Sequence, residues 1–400
     1  MTAHPSATTT AAPGPRPHRA PPAPGFSRGG DVRVPYEGLR DFVTGVFRTR
    51  ELPADRARGA AEALCHGDLT GFTTHGVGNL ARLYLPLLDS GRCDPRAEPE
   101  LLADSGAAVL LDARRGLGLW TATEAMELAV GRARLHGVGL VSVRGGTHFG
   151  CAGHHALRAV DHGMIGLAAS NCGRQRLAPP LGGALPMLGT NPLALAAPGG
   201  AHPPFVLDMS TTVVPTGRIR AAARAGERVP DGWLEDADGA PVGDPAAYDR
   251  GEARLRWLGG SPETGGHKGY GLGLLVEVLS ALLPGAGLGP QRDASTRPGS
   301  PRPDDDVGHL LLAVAPGRLR PEEDFLDAAT GLFGALLDCP PARADEPVTY
   351  PGRREWRRSR DRIAHGVPLG AAPHRELLAL AERSGVAFPA PVADGTGGAA

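Results

Sequence analysis

Three glycine-rich segments constrain this chain more than any other feature of it. They read TGFTTHG (Thr70 to Gly76), GTHFGCAGHH (Gly146 to His155) and GGHKGYGLGLLVEVL from Gly265. Each sets a proton-active side chain, His75, His148 or Lys268 in turn, among glycines at the edge of an apolar stretch. Glycine accepts positive φ and lets the backbone approach a ligand closely. An imidazole held in such a turn is suited to proton transfer near neutral pH.

Composition narrows the classes. With 400 residues and 41% hydrophobic side chains, the chain is long enough for a sizeable core divided among two or three subdomains. A formal net charge of −1 gives no reason to invoke nucleic acid or a membrane surface as partner. No apolar run approaches the roughly 18 residues of a spanning helix. The first thirty residues are rich in Pro, Ala and Thr and have no apolar core, unlike a secretory signal. The five cysteines (Cys65, Cys93, Cys151, Cys172, Cys339) are scattered and show no CxxC or zinc spacing. Reduced thiols in a cytoplasmic setting are the expectation.

The order of elements suggests an α/β or α+β core. Residues 1–32 read as a Pro-rich leader. Helical spacing follows: Leu39, Phe42, Val43 and Val46, then Ala60, Ala61, Leu64 and Cys65, and a third helix over Leu80–Leu88. Strands are expected at Ala107–Ala113, Gly139–Val143, Met164–Ser170, Leu193–Pro198, Phe205–Ser210 and His309–Val314. Helices are expected at Leu119–His136, from the His148 turn to about His162, at Gly269–Leu283 and at Glu322–Leu337. Residues 220–262 read mostly as loop, 289–306 as an exposed loop, and the chain beyond Pro389 as a frayed tail.

Each motif has a plain alternative. RGLGLWT (Arg115 to Thr121) is a near miss of GxGxxG, with a threonine in the last glycine position and no acidic residue closing a later strand, so a Rossmann domain is not expected. His148 falls between a strand and a helix. The positive end of the helix dipole there favours anions and disfavours imidazolium; a structural turn histidine is the alternative. His154, His155 and His162 lack a carboxylate or thiolate at ligand spacing, so packed or solvated histidines are expected rather than a metal site. Thr74 precedes His75 and could orient it, or could merely cap a helix. Lys268 opposes the dipole of the helix it opens, which calls for an anionic ligand or for solvent.

In this order the segments resemble the malate/L-lactate dehydrogenase family that lacks a Rossmann fold. That family includes ureidoglycolate and sulfolactate dehydrogenases, diketogulonate reductases and piperideine-2-carboxylate reductases. The resemblance runs from about Val34 to Leu369. It rests on GDLTGFTTHGV, GVGLVSVRGGTHFGCAGHHA, GMIGLAASN, LGTNPLALAAP, FVLDMSTTVVPTGRI, GGHKGYGLGLLVEVLSALLPGA and PGRREWRRSRDRIAHGVPL. It implies an α+β fold with a mainly antiparallel sheet and a helical domain built from both chain ends. On that basis residues 33–105 form the N-terminal helical domain and 106–315 the nicotinamide cofactor-binding domain. Residues 316–388 then pack back on the helical domain, and 389–400 form a flexible tail. It also implies a homodimer, and reversible hydride transfer between NAD or NADP and C2 of a small carboxylic acid.

By the resemblance, His75 and His148 line the active site, with Thr74 in place of the usual serine. His75 is the expected proton donor, and His148 stands second. Residues His148, Phe149, Gly150, Ser170, Asn171, Cys172, Asp208, Met209, Ser210, Arg218, Lys268 and Gly269 are expected to border the cofactor. Three departures point to altered substrate recognition, one of them Arg218, where relatives commonly carry a lysine. The arginine common four residues after the first histidine is Asn79 here, and the tyrosine common eight residues after it is Leu83, with Tyr84 next door. Arg82 is the expected replacement for the missing carboxylate clamp. A cyclic imino acid is the competing substrate, and a non-catalytic cofactor-binding homologue is the remaining alternative.

Overall fold

The computed structural model describes residues 31–290 and 306–392. The expected leader up to residue 30, most of the loop at 289–306 and the tail beyond 392 lie outside the described residues. Val32, placed in the leader by sequence, is the first residue of strand β1 (Val32–Val34).

Helix α1 (Tyr36–Arg48) buries Leu39, Phe42, Val43, Val46 and Phe47 on one face. They meet α2 (Ala54–Thr70), whose buried Ala57, Ala60, Ala61 and Ala63 let the two helices approach closely. A short π-helical turn (Leu80–Tyr84) leads into α3 (Leu85–Asp89).

A seven-stranded sheet follows. Its strands are β2 (Glu100–Asp104), β3 (Ala108–Asp112), β4 (Val138–Gly146), β5 (Ile165–Ser170), β6 (Leu193–Ala197), β7 (Phe205–Met209) and, after the two-residue strands β8 (Leu234–Glu235) and β9 (Arg254–Leu255), β10 (Val307–Val314). The order is β2-β3-β4-β10-β5-β6-β7. The late strand β10 is inserted between β4 and β5, antiparallel to both. Among the described strands only β3 and β4 run parallel, and α4 (Gly118–His136) makes the crossover that a parallel pair requires. Helices α4 and α5 (Ala152–Val160) bury small residues such as Ala125, Ala129, Ala156 and Ala159 with the sheet core.

The stretch 220–262 is mostly loop, as expected, but short elements within it organise a core that the sequence did not reveal. Helices α6 (Thr216–Ala225) and α7 (Ala246–Asp249) and the β8–β9 pair enclose their own small core of Val214, Ile219, Val229, Leu234, Ala247, Ala253 and Leu255. Its apolar residues are too sparse and its strands too short for periodicity to register.

The chain then forms α8 (Gly266–Glu277), extended by a second π turn (Val278–Leu282), and later α9 (Glu322–Leu337). Ala329 and Phe333 of α9 pack with Phe205 of β7 and with Tyr350, so this part of 316–388 sits on the sheet edge. The end of the chain returns to its start. Strand β11 (Val367–Leu369) pairs antiparallel with β1, and α11 (Ala371–Ser384) adds Leu377 and Leu380 to the α1–α2 core. Between them, α10 (Arg353–His365) reaches α2, where the Arg362 guanidinium donates to the Asp68 carbonyl.

Candidate active site

The first histidine sits on a turn built by its neighbours. Helix α2 ends at Gly71 with φ 99°, and a single 3-10 turn, Thr73–His75, follows. Asp68, 4% exposed, accepts a hydrogen bond from the Val77 N–H at 2.6 Å. A Cβ at position 76 would collide with that carboxylate, so Gly76 is required there. Asn79 Nδ2 donates to the Thr74 carbonyl at 2.7 Å and closes the turn. The Thr74 hydroxyl lies 3.0 Å from His75 Nδ1.

The second histidine follows β4. Gly150, with φ 82°, turns the chain into α5. Thr147 Oγ1 accepts the Gly118 N–H at 2.8 Å, and a Cβ on Gly118 would collide with the carbonyls of Thr147 and His148. Gly118 of the GxGxxG near miss therefore seats α4 against this turn. Phe149 is stacked between His155 and His309, with both ring centroids 4.9 Å away. His148 Nδ1 receives the Gly150 N–H at 3.2 Å and contacts the Tyr84 hydroxyl at 2.8 Å. A nitrogen that accepts a backbone N–H carries no proton, so Tyr84 donates and the neutral ring holds its proton on Nε2.

The fold brings the two turns together. The rings of His75 and His148 stack at 5.8 Å between centroids, with 15° between planes. Burial lowers the pKa of His75 to about 4. For His148, burial, then the charge of His75 and then that of His155 lower it to about 3. Both imidazoles are therefore neutral at pH 7 in the free protein.

The other expected residues divide. Arg82 is exposed, donating to the Gly78 carbonyl at 2.7 Å, with Glu376 of α11 3.8 Å away. Its charge is directed to a carbonyl and a carboxylate of the protein itself. Ser170 and Asn171 are buried and bonded within the protein: Ser170 Oγ to the Asn171 carbonyl and His309 Nδ1, and Asn171 to Gly287, Gly308 and Glu277. They brace the end of β5. Cys172 Sγ lies 3.6 Å from the Thr190 hydroxyl. Asp208 Oδ2 accepts the Gly153 N–H at the start of α5 at 2.8 Å, and burial raises its pKa to about 6. A cavity of about 330 Å³ adjoins it, lined also by His66, Leu157, Glu355 and Trp356. Met209 ends β7, and Ser210 Oγ donates to the Thr212 carbonyl. Gly269 lets α8 touch the backbone of Leu258, where a Cβ would not fit.

Sequence reasoning did not assign roles to Tyr84 or Asp68. Counting along the chain put the expected tyrosine at position 83. The π turn over Leu80–Tyr84 breaks the α-helical phase on which such counting relies. Asp68 stood in the GDLTGFTTHGV segment with nothing in the sequence to show that it would be buried.

Lys268 is the only lysine in the chain, since all the rest of its 42 Lys and Arg residues are arginine. Its side chain is exposed in the first turn of α8 and makes no ion pair among the described residues. Among the described residues no three His, Cys, Asp or Glu side chains gather as a metal site, and no helix is long and apolar enough to cross a membrane.

Known proteins resemble this chain over most of its length. The malate/L-lactate dehydrogenase family model matches residues 34–378. A malate dehydrogenase of Pyrococcus abyssi is 34% identical over 356 residues, covering 89% of this chain and 96% of its own. A Δ1-pyrroline-2-carboxylate/Δ1-piperideine-2-carboxylate reductase of Pseudomonas putida is 31% identical, covering 88% and 97%. The crystal structure of malate dehydrogenase from Entamoeba histolytica superposes with a TM-score of 0.83 at 28% identity, covering 90% and 99%. The chain thus belongs to the malate/L-lactate dehydrogenase family and is an oxidoreductase.

Proposed function

We propose that this protein catalyses reversible, NAD(P)-dependent hydride transfer at C2 of a small 2-oxo or 2-hydroxy carboxylic acid. The observation that carries the reading is the stacked His75–His148 pair, each ring held by a hydroxyl, Thr74 and Tyr84 respectively. Two features fit a dinucleotide. One is the ammonium of Lys268, without an ion pair among the described residues, in a glycine-rich helix start, where an anion would offset its unfavourable place on the helix dipole. The other is Asp208 beside its cavity. The nicotinamide, when bound, supplies or accepts the hydride.

The residues of the chain handle the proton. His148 is locked neutral by two donors on Nδ1, which leaves Nε2–H to hold the C2 oxygen or nitrogen. Among the described residues His75 has one polar partner, the Thr74 hydroxyl, which can either donate or accept. That freedom suits a ring that changes protonation state. Neutral His75 takes the proton of a 2-hydroxy acid during oxidation. A carboxylate bound beside it favours the imidazolium and so prepares the acid for reduction. The closed hydrogen bond of Asn79, in place of an arginine, supports a second reading, reduction of a cyclic imino acid, for which the same proton is delivered to nitrogen.

A homodimer in the cytoplasm completes the reading. The exposed Leu274, Leu275, Val278, Leu282 and Leu283 on and after α8 support a subunit contact, and the free state of all five cysteines supports a reducing compartment. Sedimentation at micromolar concentration tests the dimer. The reaction is tested by a screen of 2-oxo acids and cyclic imino acids with NADH and NADPH, together with His75→Ala. That variant should lose about 10²-fold or more in kcat while cofactor binding stays nearly intact. Unaltered kcat would transfer the proton role to His148. Cofactor binding with no turnover on any acid would indicate a non-catalytic homologue.

A further inference from the structure

The first turn of α6 rests on the His75 turn. A Cβ on Gly217 would lie 3.1 Å from Thr74 Cβ and 3.2 Å from its Cγ2. Two residues on, Ile219 is fully buried in the small core beneath α6. Successive helical residues are 100° apart, so Arg218 emerges between the face that meets Thr74 and the face that enters the core. Its guanidinium lies over the Trp233 ring, with Cζ 4.8 Å from the centroid.

This guanidinium is half-buried and makes no hydrogen bond or ion pair among the described residues. Three other arginines of the same lobe are paired: Arg220 with Asp249 at 3.0 Å, Arg250 with Asp244 at 2.9 Å and Arg256 with Glu235 at 2.7 Å. Burial alone holds the Arg218 pKa below its ordinary value, with no carboxylate to compensate. An arginine stays charged under such desolvation, and its planar fork is matched to an oxyanion. Stacking on an indole fixes the plane of the fork while leaving its N–H edges free. The two other candidates near His75 are already engaged, Asn79 with Thr74 and Arg82 with Gly78 and Glu376.

We infer that Arg218, held on Trp233, binds the carboxylate of the acid substrate and replaces the clamp absent at position 79. This rests on the reaction proposed above. It moves Arg218 from the cofactor, where family resemblance puts it, to the substrate.

The test compares wild type, Arg218→Gln and Arg218→Lys with the best acid from the screen and with its carboxamide. KM, kcat, NAD(P)H affinity by fluorescence and melting temperature are measured. Arg218→Gln should raise KM for the acid about 100-fold, the loss expected for a bidentate charged pair. It should leave KM for the carboxamide and the cofactor affinity within about twofold, so that discrimination between acid and amide collapses. Arg218→Lys should recover part of the acid preference. Melting temperature should stay level or rise, because the substitution removes an uncompensated buried charge. A lowered melting temperature with acid and amide affected alike would make Arg218 structural and overturn the inference. Weakened cofactor binding with unaltered acid KM would return it to the cofactor. If the wild type reduces no acid at all, the proposed reaction fails first and takes this inference with it.

Discussion

The Tyr84 hydroxyl stands 2.8 Å from His148 Nδ1, on the same nitrogen that receives the Gly150 N–H. Two donors on one acceptor nitrogen fix the tautomer of the ring and hence the atom it can offer a substrate. Burial pushes the Tyr84 pKa well up, so the phenol keeps its proton and remains a donor.

Tyr84→Phe should therefore fold normally, because the buried ring is kept. It removes one of the two donors that define the His148 tautomer. We expect kcat to fall about 10- to 100-fold, in the range of lost orienting hydrogen bonds to a catalytic group, with cofactor affinity unchanged. Steady-state kinetics and NAD(P)H fluorescence titration check this. A Phe variant with wild-type kcat would leave the Gly150 N–H as the sole tautomer lock.

How far the sequence reached depended on whether a feature is local. Helix α9 was readable to both ends, Glu322–Leu337, because its apolar spacing is regular. Histidines 75 and 148 were legible because glycines mark their turns. Their stacking depends on α2 and the β4–α5 turn meeting in space; the family resemblance implied one site for both rings but not the stack. Strand β2 was missed because all five of its residues are exposed at the sheet edge and show no alternation. The β1–β11 pair joins residues more than 330 apart, a register no local pattern encodes. Arg82 was favoured by spacing from His75, but Glu376 lies elsewhere in the sequence and draws the guanidinium to the surface.

Asp68 gives a pH signature to the His75 turn. Burial raises its pKa to about 7, against backbone donation from Val77 and the charge of Arg362. A folded pKa above the unfolded value means the native state holds the extra proton. Its contribution to stability is therefore present below the unfolded value and lost as pH rises through about 7. Asp68→Asn resembles the protonated acid and still accepts from Val77. Its stability relative to wild type should rise between pH 4 and pH 7, and an activity inflection near pH 7 should disappear. Asp68→Ala leaves the Val77 N–H unsatisfied and should cost about 1–3 kcal/mol at every pH. Parallel stability curves for wild type and Asp68→Asn would show that this carboxyl does not titrate in that window.

Acid should unfold the protein early. Burial, as the leading cause, lowers His66, His75 and His155 to about 4 and His148 and His309 to about 3, and holds His154 well below its ordinary value. Each binds a proton more readily unfolded than folded below pH 6.5, so each contributes stability above that value and loses it as pH falls toward 4. The raised carboxyls Asp68, Glu124, Asp161, Asp208 and Asp306 act in the opposite sense but are fewer than the six histidines. Denaturant melts at pH 7.5, 6.5, 5.5 and 4.5 should show stability falling by about 1.4 kcal/mol per pH unit for each net proton. A level profile from pH 7 to 5 would mean that these imidazoles are charged in the native state.

Lys268 offers a test that few proteins allow. As the only lysine, it shares amine reactivity with nothing but the chain's N-terminus. It is exposed and makes no ion pair among the described residues, so an amine-directed acylating reagent should modify it readily in the free protein. If its ammonium meets an anionic group of the cofactor, saturating NAD(P)H should protect it, and modification of the N-terminus should continue at its former rate. Lys268→Ala should weaken cofactor binding about tenfold or more, the size of one hydrogen bond to a charged group, with little change in kcat at saturation. Lys268→Arg retains the charge but replaces a compact ammonium with a broad planar fork beside Gly265, and it should recover only part of the affinity. Peptide mass spectrometry with and without cofactor gives the answer directly. Equal labelling of Lys268 in both states, together with wild-type affinity in the alanine variant, would place this lysine outside the cofactor site.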